Sequence, residues 1–316
     1  MTARNPMRTF ASYIMRGHAT AILIAAVFTL LSLLVPPLMQ ISAAVIALVT
    51  LRNSAQYGLS VILGAGIAAG VFAWVLMSGL RPGMGVIIAA WAASWLPVWL
   101  AANVLRATRS ISLALGMAAA LGIAAVVFVN IVIGDTTAWW RAVLATAFQP
   151  VISGEGAAIS PGDIDAFLDA LASLMTGMIG GAIVIGVMTS LFIGRWWQAI
   201  LYNPGGFGAE FQGLRIGRQF SIFAVVVTAV MMMGPEAATS MASDVVIVLM
   251  ATYLFAGLAL AHAAAAAKNA SSAWLISLYG LLFVLPQLVI VLASAGFTDS
   301  WMDLRRYLRP GRKPTA

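Results

Sequence analysis

Nine apolar runs, most of them long enough for a membrane-spanning helix, restrict what this 316-residue chain can fold into. A helix that crosses the hydrocarbon core needs about 20 mostly apolar residues, because no water there satisfies open backbone groups. We therefore predict an all-α fold, a polytopic transmembrane helix bundle with eight to nine membrane segments, one of them short or re-entrant. The runs cover approximately 18–35, 41–51, 57–79, 84–104, 110–133, 171–193, 219–234, 244–267 and 273–296.

The composition excludes a soluble globular domain and several chemical functions. Hydrophobic residues make up 62% of the chain and charged residues 9%, whereas a soluble domain is about a quarter charged. The chain has no cysteine, which excludes disulfides and thiolate metal sites. It also lacks the motifs of serine hydrolases, zinc proteases and P-loop nucleotide binders. We expect no catalysis, no cofactor and no metal.

The positions of the basic residues predict the orientation in the bilayer. The net charge is +7, but the arginines stand at the ends of apolar runs, which is typical of topology signals and of contacts with anionic lipid rather than of nucleic-acid binding. With a cytoplasmic N-terminus and a crossing at 41–51, Arg52, Arg106, Arg109, Arg195, Arg215 and Arg218 lie inside. The acidic connection 134–170 then lies outside.

The number of crossings decides the side of the basic C-terminus. If all nine runs cross, Arg305, Arg306, Arg309, Arg312 and Lys313 lie outside, against the positive-inside tendency. A re-entrant segment returns them to the cytoplasm, either at 219–234, which is short, or at 273–296, which is interrupted by Gly280 and Pro286. We predict both termini in the cytoplasm. Because 15 of the 17 basic residues are arginine, we also predict a multi-pass protein of a bacterial inner membrane.

The outer connection carries its own helical pattern. Trp139, Trp140, Val143, Leu144, Ala147 and Phe148 recur at helical spacing, which predicts an amphipathic helix over 136–149 at the membrane interface. Ser160 and Pro161 indicate the start of a helix over 161–202. We expect Asp135, Glu236 and Asp244, at the outer ends of runs, to be solvated.

The chain is predicted to be one integral membrane domain, 1–316. Its parts are a six-segment core at 18–203, a cytoplasmic loop at 204–218, additional membrane segments at 219–296 and a basic C-terminal tail at 297–316.

One candidate site is the end of the sixth run with the loop that follows it. The arginine and tryptophans are typical of an interface anchor, and proline and glycine end the helix. The alternative function is binding of a partner protein or of a lipid headgroup through this loop. The residues are Arg195, Trp196, Trp197, Tyr202, Asn203, Pro204, Gly205, Gly206, Phe207 and Gly208.

A second candidate site is a solute pocket among the first six helices, toward the outer face. Asn130, Trp74, Trp91 and Trp95 are the candidate lining residues. Asn130 lies within an apolar run, where an amide needs a partner, so a hydrogen bond between two helices is the alternative to a bound substrate.

Three pairs of small residues at i, i+4 spacing predict close helix packing: Ala21 and Ala25, Gly66 and Gly70, and Gly177 and Gly181. We expect replacement of Gly66 and Gly70 with leucine to destabilise the bundle.

Two stretches, Arg195 to Phe211 and Thr298 to Arg306, resemble the YybS-like bacterial membrane proteins (domain of unknown function 2232). This resemblance implies the architecture over nearly the whole chain and no site residues. Residues 18–203 more distantly resemble the substrate-binding subunits of energy-coupling-factor transporters, which have a short second helix. In those subunits an Ala-x-x-x-Ala motif contacts the coupling subunit, which implies a partner contact at Ala21 and Ala25; the three further segments here depart from that pattern.

These observations predict a membrane-embedded component that binds or transports a small solute. The alternative is a non-transporting scaffold or assembly factor that binds a membrane or cytoplasmic protein through 195–218 and the basic tail. The expected partners are the lipid bilayer and either a small-molecule ligand or a membrane protein, without nucleic acid.

Overall fold

The computed structural model describes residues 6–76, 84–152 and 161–308. Within these ranges the chain is helical and contains no β-strand, so the predicted all-α fold is confirmed. The helices are α1 (Pro6–Ile14), α2 (His18–Leu31), α3 (Leu38–Arg52), α4 (Ala55–Leu76), α5 (Met84–Thr108), α6 (Ile111–Ile133), α7 (Thr136–Ile152), α8 (Pro161–Tyr202), α9 (Gly206–Gln212), α10 (Arg218–Met233), α11 (Glu236–Ala267), α12 (Ser272–Val284) and α13 (Leu288–Met302), followed by a 3-10 helix (Leu304–Leu308).

Two compact units make up the chain. Unit 1 consists of Met1–Ala118 and Ile185–Leu214, and unit 2 consists of Ala119–Val184 and Arg215–Ala316. Helices α6 and α8 each contribute residues to both units. The subdivision predicted from the sequence stays a prediction.

Five described helices are long and apolar enough to cross a membrane, namely Ala55–Val75, Ile87–Thr108, Ile111–Ile133, Gly162–Tyr202 and Ala238–Ala267. Helices α1 and α2 qualify as a sixth span only together, and they are bent by 114° at their junction. Helices α3, α10, α12 and α13 are apolar but shorter, at 13 to 16 residues. A 15-residue helix is only about 22 Å long, less than the hydrocarbon thickness of about 30 Å.

The ninth apolar run is broken in two. Helix α12 ends at Val284, and α13 begins at Leu288. Pro286 explains the break, because proline has no N–H to donate and disfavours helical backbone at the residue before it. The two short helices are the structural counterpart of the interruption that the sequence indicates there.

Helix α3 forms the centre of unit 1. Every residue from Ser42 to Leu51 is buried, as expected of a helix that is apolar on all sides and surrounded by protein. The Ser42 hydroxyl lies 2.7 Å from that of Thr29 and 2.9 Å from the carbonyl oxygen of Ala25. Helix α8 approaches on another side, where a Cβ on Gly194 would lie 2.7 Å from the Cβ of Ala47. The interior of protein, rather than lipid, therefore surrounds this short helix.

Helix α11 occupies the corresponding position in unit 2, where it packs against α10 and α13. At Gly257 an added Cβ would lie 1.9 Å from the carbonyl oxygen of Leu292, and at Gly296 it would lie 2.4 Å from that of Tyr253. Only glycine allows the backbones of α11 and α13 to approach this closely.

The connection between α6 and α8 forms a helix, α7, that packs on the start of α8. Leu144 of α7 is buried with Leu168 and Ala172, and Trp140 and Phe148 pack against them. The Trp140 indole N–H donates a hydrogen bond to the Thr176 hydroxyl at 3.0 Å. The predicted helices over 136–149 and 161–202 are both present, with one face of α7 in contact with protein. Ser160, the predicted N-cap, lies outside the described residues.

Candidate functional site

The loop after α8 folds back on its own helix. Gly205 has a φ of 84°, a left-handed conformation that glycine adopts without strain, and α9 begins at the next residue. Arg195 then forms a two-pronged ion pair with Glu210 of α9, its Nε donating to the carboxylate at 2.9 Å. Because the Arg195 side chain is only 13% exposed, this pair is part of the folded interior of unit 1.

Three aromatic rings hold the same turn. Phe192 contacts Phe207 and Phe211 with ring centroids 5.6 and 5.2 Å apart. Phe207 stacks on Phe211, one helical turn away. Two of the side chains that the sequence assigned to this loop, Arg195 and Phe207, therefore stabilise its folded form.

The remaining loop residues differ in accessibility. Trp197 is 2% exposed and packs edge-on against Phe10, whereas Trp196 is 41% exposed. Tyr202 is also exposed, and its ring lies under the guanidinium of Arg52 at 4.1 Å. Gly206 packs against the side chain of Asn203. The exposed tip consists of Tyr202, Asn203, Pro204, Gly205 and Gly208.

A polar pocket of about 410 Å³ lies where several helices of unit 1 end. Arg106 and Arg109 come from the end of α5 and the turn after it, Arg195 and Gln198 come from α8, and Glu210 comes from α9. Arg109 has a φ of 55° and stands between two helices. Leu51 and Leu105 complete the lining. We refer to this site as the arginine pocket.

The arginine pocket carries an excess of positive charge. Three guanidinium groups line it with one carboxylate, and Glu210 already pairs with Arg195. Arg106 and Arg109 are exposed and form no ion pair among the described residues. Guanidinium groups recognise carboxylates and phosphates through paired N–H donors. The arrangement is suited to holding a small anion.

The three tryptophans predicted to line a solute pocket lie in unit 1, and none of them lines the arginine pocket. Trp91 and Trp95 are buried and line an apolar groove of about 490 Å³ between α4 and α5. The Trp95 indole donates a hydrogen bond to Ser42 at 3.1 Å. Trp74 does not line this groove and is 53% exposed.

Gly66 and Gly70 form part of the same groove wall. A Cβ on Gly70 would meet no described atom within 4 Å, and one on Gly66 would meet only the Trp95 ring, at 3.6 Å. These glycines therefore open a groove, and they bring no second helix backbone close to α4 within the described residues.

The fourth predicted lining residue, Asn130, lies in unit 2 and joins two helices. Its side-chain amide donates to the carbonyl oxygen of Val126 at 3.0 Å and to the carboxylate of Asp244 at 3.3 Å. The other oxygen of Asp244 accepts the backbone N–H of Gly177 at 2.9 Å. This contact between α6, α8 and α11 is referred to below as the Asp244 junction.

The prediction that Asp244 is solvated is wrong, because this side chain is 3% exposed. Helix α11 begins at Glu236, eight residues before the carboxylate, so Asp244 lies two turns inside the helix rather than at its end. Both of its hydrogen-bond donors are neutral. Ionisable groups inside membrane helices are rare and often functional.

The two other small-residue pairs are buried. A Cβ on Gly177 would lie 2.9 Å from the Asp244 Cα, whereas one on Gly181 would make ordinary contacts at 3.6 Å. Ala21 and Ala25 are fully buried within unit 1. In the described structure, those alanines do not form an exposed surface for a coupling subunit.

An arginine–aspartate network closes one end of unit 2. Arg215 pairs with Asp303, and the Nε of Arg305 lies 3.1 Å from the buried Asp299 carboxylate. The Arg215 hydrogen bond lowers the pKa of Asp303, and burial lowers the pKa of Arg305. The sequence interpretation treated these arginines as topology signals or as part of a partner-binding surface and missed the network, although the alternation of acids and arginines over 299–306 was visible. Arg309, Arg312 and Lys313 lie outside the described residues.

Hydroxyl groups form a second polar cluster in unit 2. The hydroxyl of Tyr253 donates to Ser221 at 2.9 Å, and Ser221 lies 2.6 Å from the hydroxyl of Ser300. These hydrogen bonds connect α10, α11 and α13 through the hydroxyl groups of Ser221, Tyr253 and Ser300.

Comparison with known proteins identifies a family. A family model described as "Predicted membrane protein (DUF2232)" matches residues 23–300. This range includes the folded loop after α8 and extends into the start of the stretch from Thr298 to Arg306. Comparisons with curated proteins and with solved structures gave no significant match. Because the model covers most of the chain, the protein belongs to this family of predicted membrane proteins, DUF2232.

Proposed function

We propose that this protein is a membrane-embedded binding component for a small anionic solute, without catalytic activity of its own. The observation that carries the proposal is the arginine pocket, where three guanidinium groups and one carboxylate surround about 410 Å³. Arg106 and Arg109 supply the positive charge that no described acidic side chain neutralises. An anion in the pocket accepts charge-assisted hydrogen bonds from these two guanidinium groups.

The proposed orientation places the arginine pocket at the cytoplasmic side of a bacterial inner membrane. Arg106, Arg109 and Arg195 line the pocket, and Arg52, the last residue of α3, follows the lining residue Leu51. Such clusters are retained on the cytoplasmic side of membrane proteins. Solute is then bound from, or released to, the cytoplasm, and transport across the bilayer is an extension of the same proposal.

The test is a ligand screen on the purified protein in detergent. Inorganic phosphate, sulfate and small organic phosphates or carboxylates are compared with chloride at equal ionic strength, since a ligand that binds the folded state raises the thermal midpoint. At least one anion should stabilise the wild type and fail to stabilise the Arg106→Gln/Arg109→Gln variant. Arg16→Gln is the matched control, because Arg16 stacks on Tyr13 and does not line the pocket.

Two results would contradict the proposal. One is the absence of any anion-dependent shift across the screen. The other is an equal shift in the wild type and in the variant that lacks Arg106 and Arg109, which would place binding elsewhere.

A scaffold that binds a partner protein through the 195–218 loop is the second candidate. The exposed side chain of Trp196 in α8 and that of Tyr202 at the loop tip favour it. Arg195 and Trp197 are unsuitable for testing it, because both support the folded loop. A partner that co-purifies with wild type and is lost with Trp196→Ala, while the thermal midpoint is unchanged, would support this function over solute binding.

A further inference from the structure

Unit 2 contains an apolar groove of about 590 Å³ between α10, α11 and α13. Its walls include Ala229 and Met233 of α10, Met250 of α11, and Ala293 and Phe297 of α13. Met233 is 86% exposed, so the groove opens on the surface of the unit. In a membrane protein, such a surface faces acyl chains.

The groove offers little to a polar ligand. Four of its lining residues carry hydroxyl groups, Thr228, Tyr253, Ser294 and Thr298, and three of these hydroxyls donate hydrogen bonds to the protein. Tyr253 donates to Ser221 at 2.9 Å, Thr228 to the carbonyl oxygen of Ala224 at 2.8 Å, and Thr298 to that of Ser294 at 2.8 Å. Apart from the Ser294 hydroxyl, the remaining side chains of the lining are hydrocarbon and thioether, which match an acyl chain rather than a solute with many hydrogen-bonding groups.

One end of the groove leads to an exposed cation. Phe297 contacts Trp301, with ring centroids 6.2 Å apart, and the guanidinium of Arg218 lies over the Trp301 ring at 5.1 Å. The neighbouring acids are engaged elsewhere, Asp303 with Arg215 and Asp299 with Arg305. Arg218 is exposed and has no acidic partner among the described side chains. Its stacked position leaves the N–H edges of the guanidinium for an anion.

The dimensions along α10 agree with one lipid leaflet. The lining residues of α10 extend from Ala224 to Met233, about 14 Å at 1.5 Å per residue. Half of the hydrocarbon core of a bilayer is about 15 Å thick. Arg218 precedes Ala224 by six residues, about 9 Å, which corresponds to the headgroup region, where tryptophan is also enriched.

We propose that unit 2 binds one anionic phospholipid, with an acyl chain in this groove and the headgroup phosphate at Arg218. The site is separate from the arginine pocket and does not depend on the function proposed for it. The positive charge at Arg218 favours a lipid with net negative charge over a zwitterionic lipid with the same chains.

The test is native mass spectrometry of the detergent-solubilised protein, titrated with phosphatidylglycerol or phosphatidylcholine of identical acyl chains. The wild-type protein should retain phosphatidylglycerol in preference to phosphatidylcholine. Arg218→Gln should weaken phosphatidylglycerol binding about fivefold, the effect of one basic residue at a membrane surface. It should weaken phosphatidylcholine binding less, because the choline cation offsets the charge of the phosphate in that lipid. Ala229→Phe, which fills the groove from an exposed position, should weaken the binding of both lipids.

Arg16→Gln serves as the control for loss of a positive charge elsewhere, and the thermal midpoint of each variant establishes that it is folded. Equal retention of the two lipids by wild type would overturn the proposal. So would an unchanged affinity in folded Ala229→Phe, because the chain would then lie outside the groove. If Arg218→Gln and Arg16→Gln weaken phosphatidylglycerol equally, the headgroup site is not at Arg218.

Discussion

The backbone N–H of Gly177 donates a hydrogen bond to the carboxylate of Asp244 at 2.9 Å, and a Cβ on this glycine would lie 2.9 Å from the Asp244 Cα. The same residue therefore brings α8 against α11 and supplies a donor to a buried acid. No other residue at this position could do both, because any Cβ would separate the two backbones.

Gly177→Ala should destabilise the protein by about 1–3 kcal/mol, the usual cost of forcing an extra carbon into a packed contact. The added Cβ would also lie 2.6 Å from the Ile247 side chain. Thermal unfolding in detergent measures the effect. Gly181→Ala is the matched control, because its Cβ would make contacts of 3.6 Å, and equal losses in the two variants would contradict the close approach described here.

Asn130→Ala and Asp244→Asn should show coupled effects on stability. Asp244→Asn keeps an acceptor for the Gly177 N–H and removes the carboxylate, whereas Asn130→Ala removes one of its two donors. Residues in one hydrogen-bond network typically couple by about 0.5–3 kcal/mol. Unfolding free energies of both single variants and the double variant give this coupling, and strict additivity would show that the two side chains do not interact.

Gly70→Ala should leave stability unchanged or raise it by up to about 1 kcal/mol, because alanine favours helix more than glycine does. The space beside Gly70 is open within 4 Å. This expectation replaces the one drawn from the sequence, in which this face packs against another helix. A marked fall in the thermal midpoint of Gly70→Ala would indicate a contact on this face.

Acidic pH should weaken the Arg215–Asp303 pair. The Arg215 hydrogen bond lowers the pKa of Asp303 below its unfolded value of about 3.9. The contribution to stability is then complete above that unfolded value and is lost as the pH falls through the lowered pKa of the folded state. Because half of the Asp303 side chain is exposed to solvent, the effect is small.

The measurement is the thermal midpoint as a function of pH for wild type and Asp303→Asn. Asparagine suits this position, whose φ is 45°. The variant should lose less stability than wild type on acidification, and superimposable profiles would show that the pair makes no contribution.

Arg195→Ala should release α9 from α8 without unfolding the bundle. The ion pair between Arg195 and Glu210 is a polar contact between the two helices. The rings of Phe192, Phe207 and Phe211 form an apolar contact between them. Limited proteolysis should cut the variant faster within 203–213. Arg52→Ala removes a guanidinium that stacks on Tyr202 and makes a suitable comparison; equal cleavage of wild type and Arg195→Ala would contradict this role.

Hydropathy predicted the membrane class and the helical content, and local proline and glycine signals added the bounds of several helices. The helix over 161–202 agrees with α8, because proline at its start and Asn203-Pro204-Gly205 at its end are local signals. The division of the ninth run around Pro286 was also visible, since the constraint that proline imposes acts on its own and the preceding residue.

The environment of each site residue depended on the tertiary structure. Gly66-x-x-x-Gly70 and Gly177-x-x-x-Gly181 are the same pattern, yet the first lines an open groove and the second holds α8 against α11. Spacing determines which residues share a face of one helix, but it carries no information about what that face meets. For the same reason Asp244, near the edge of an apolar run, became a buried acid, and Arg106, Arg109 and Arg195 came together in one pocket only after distant helix ends converged.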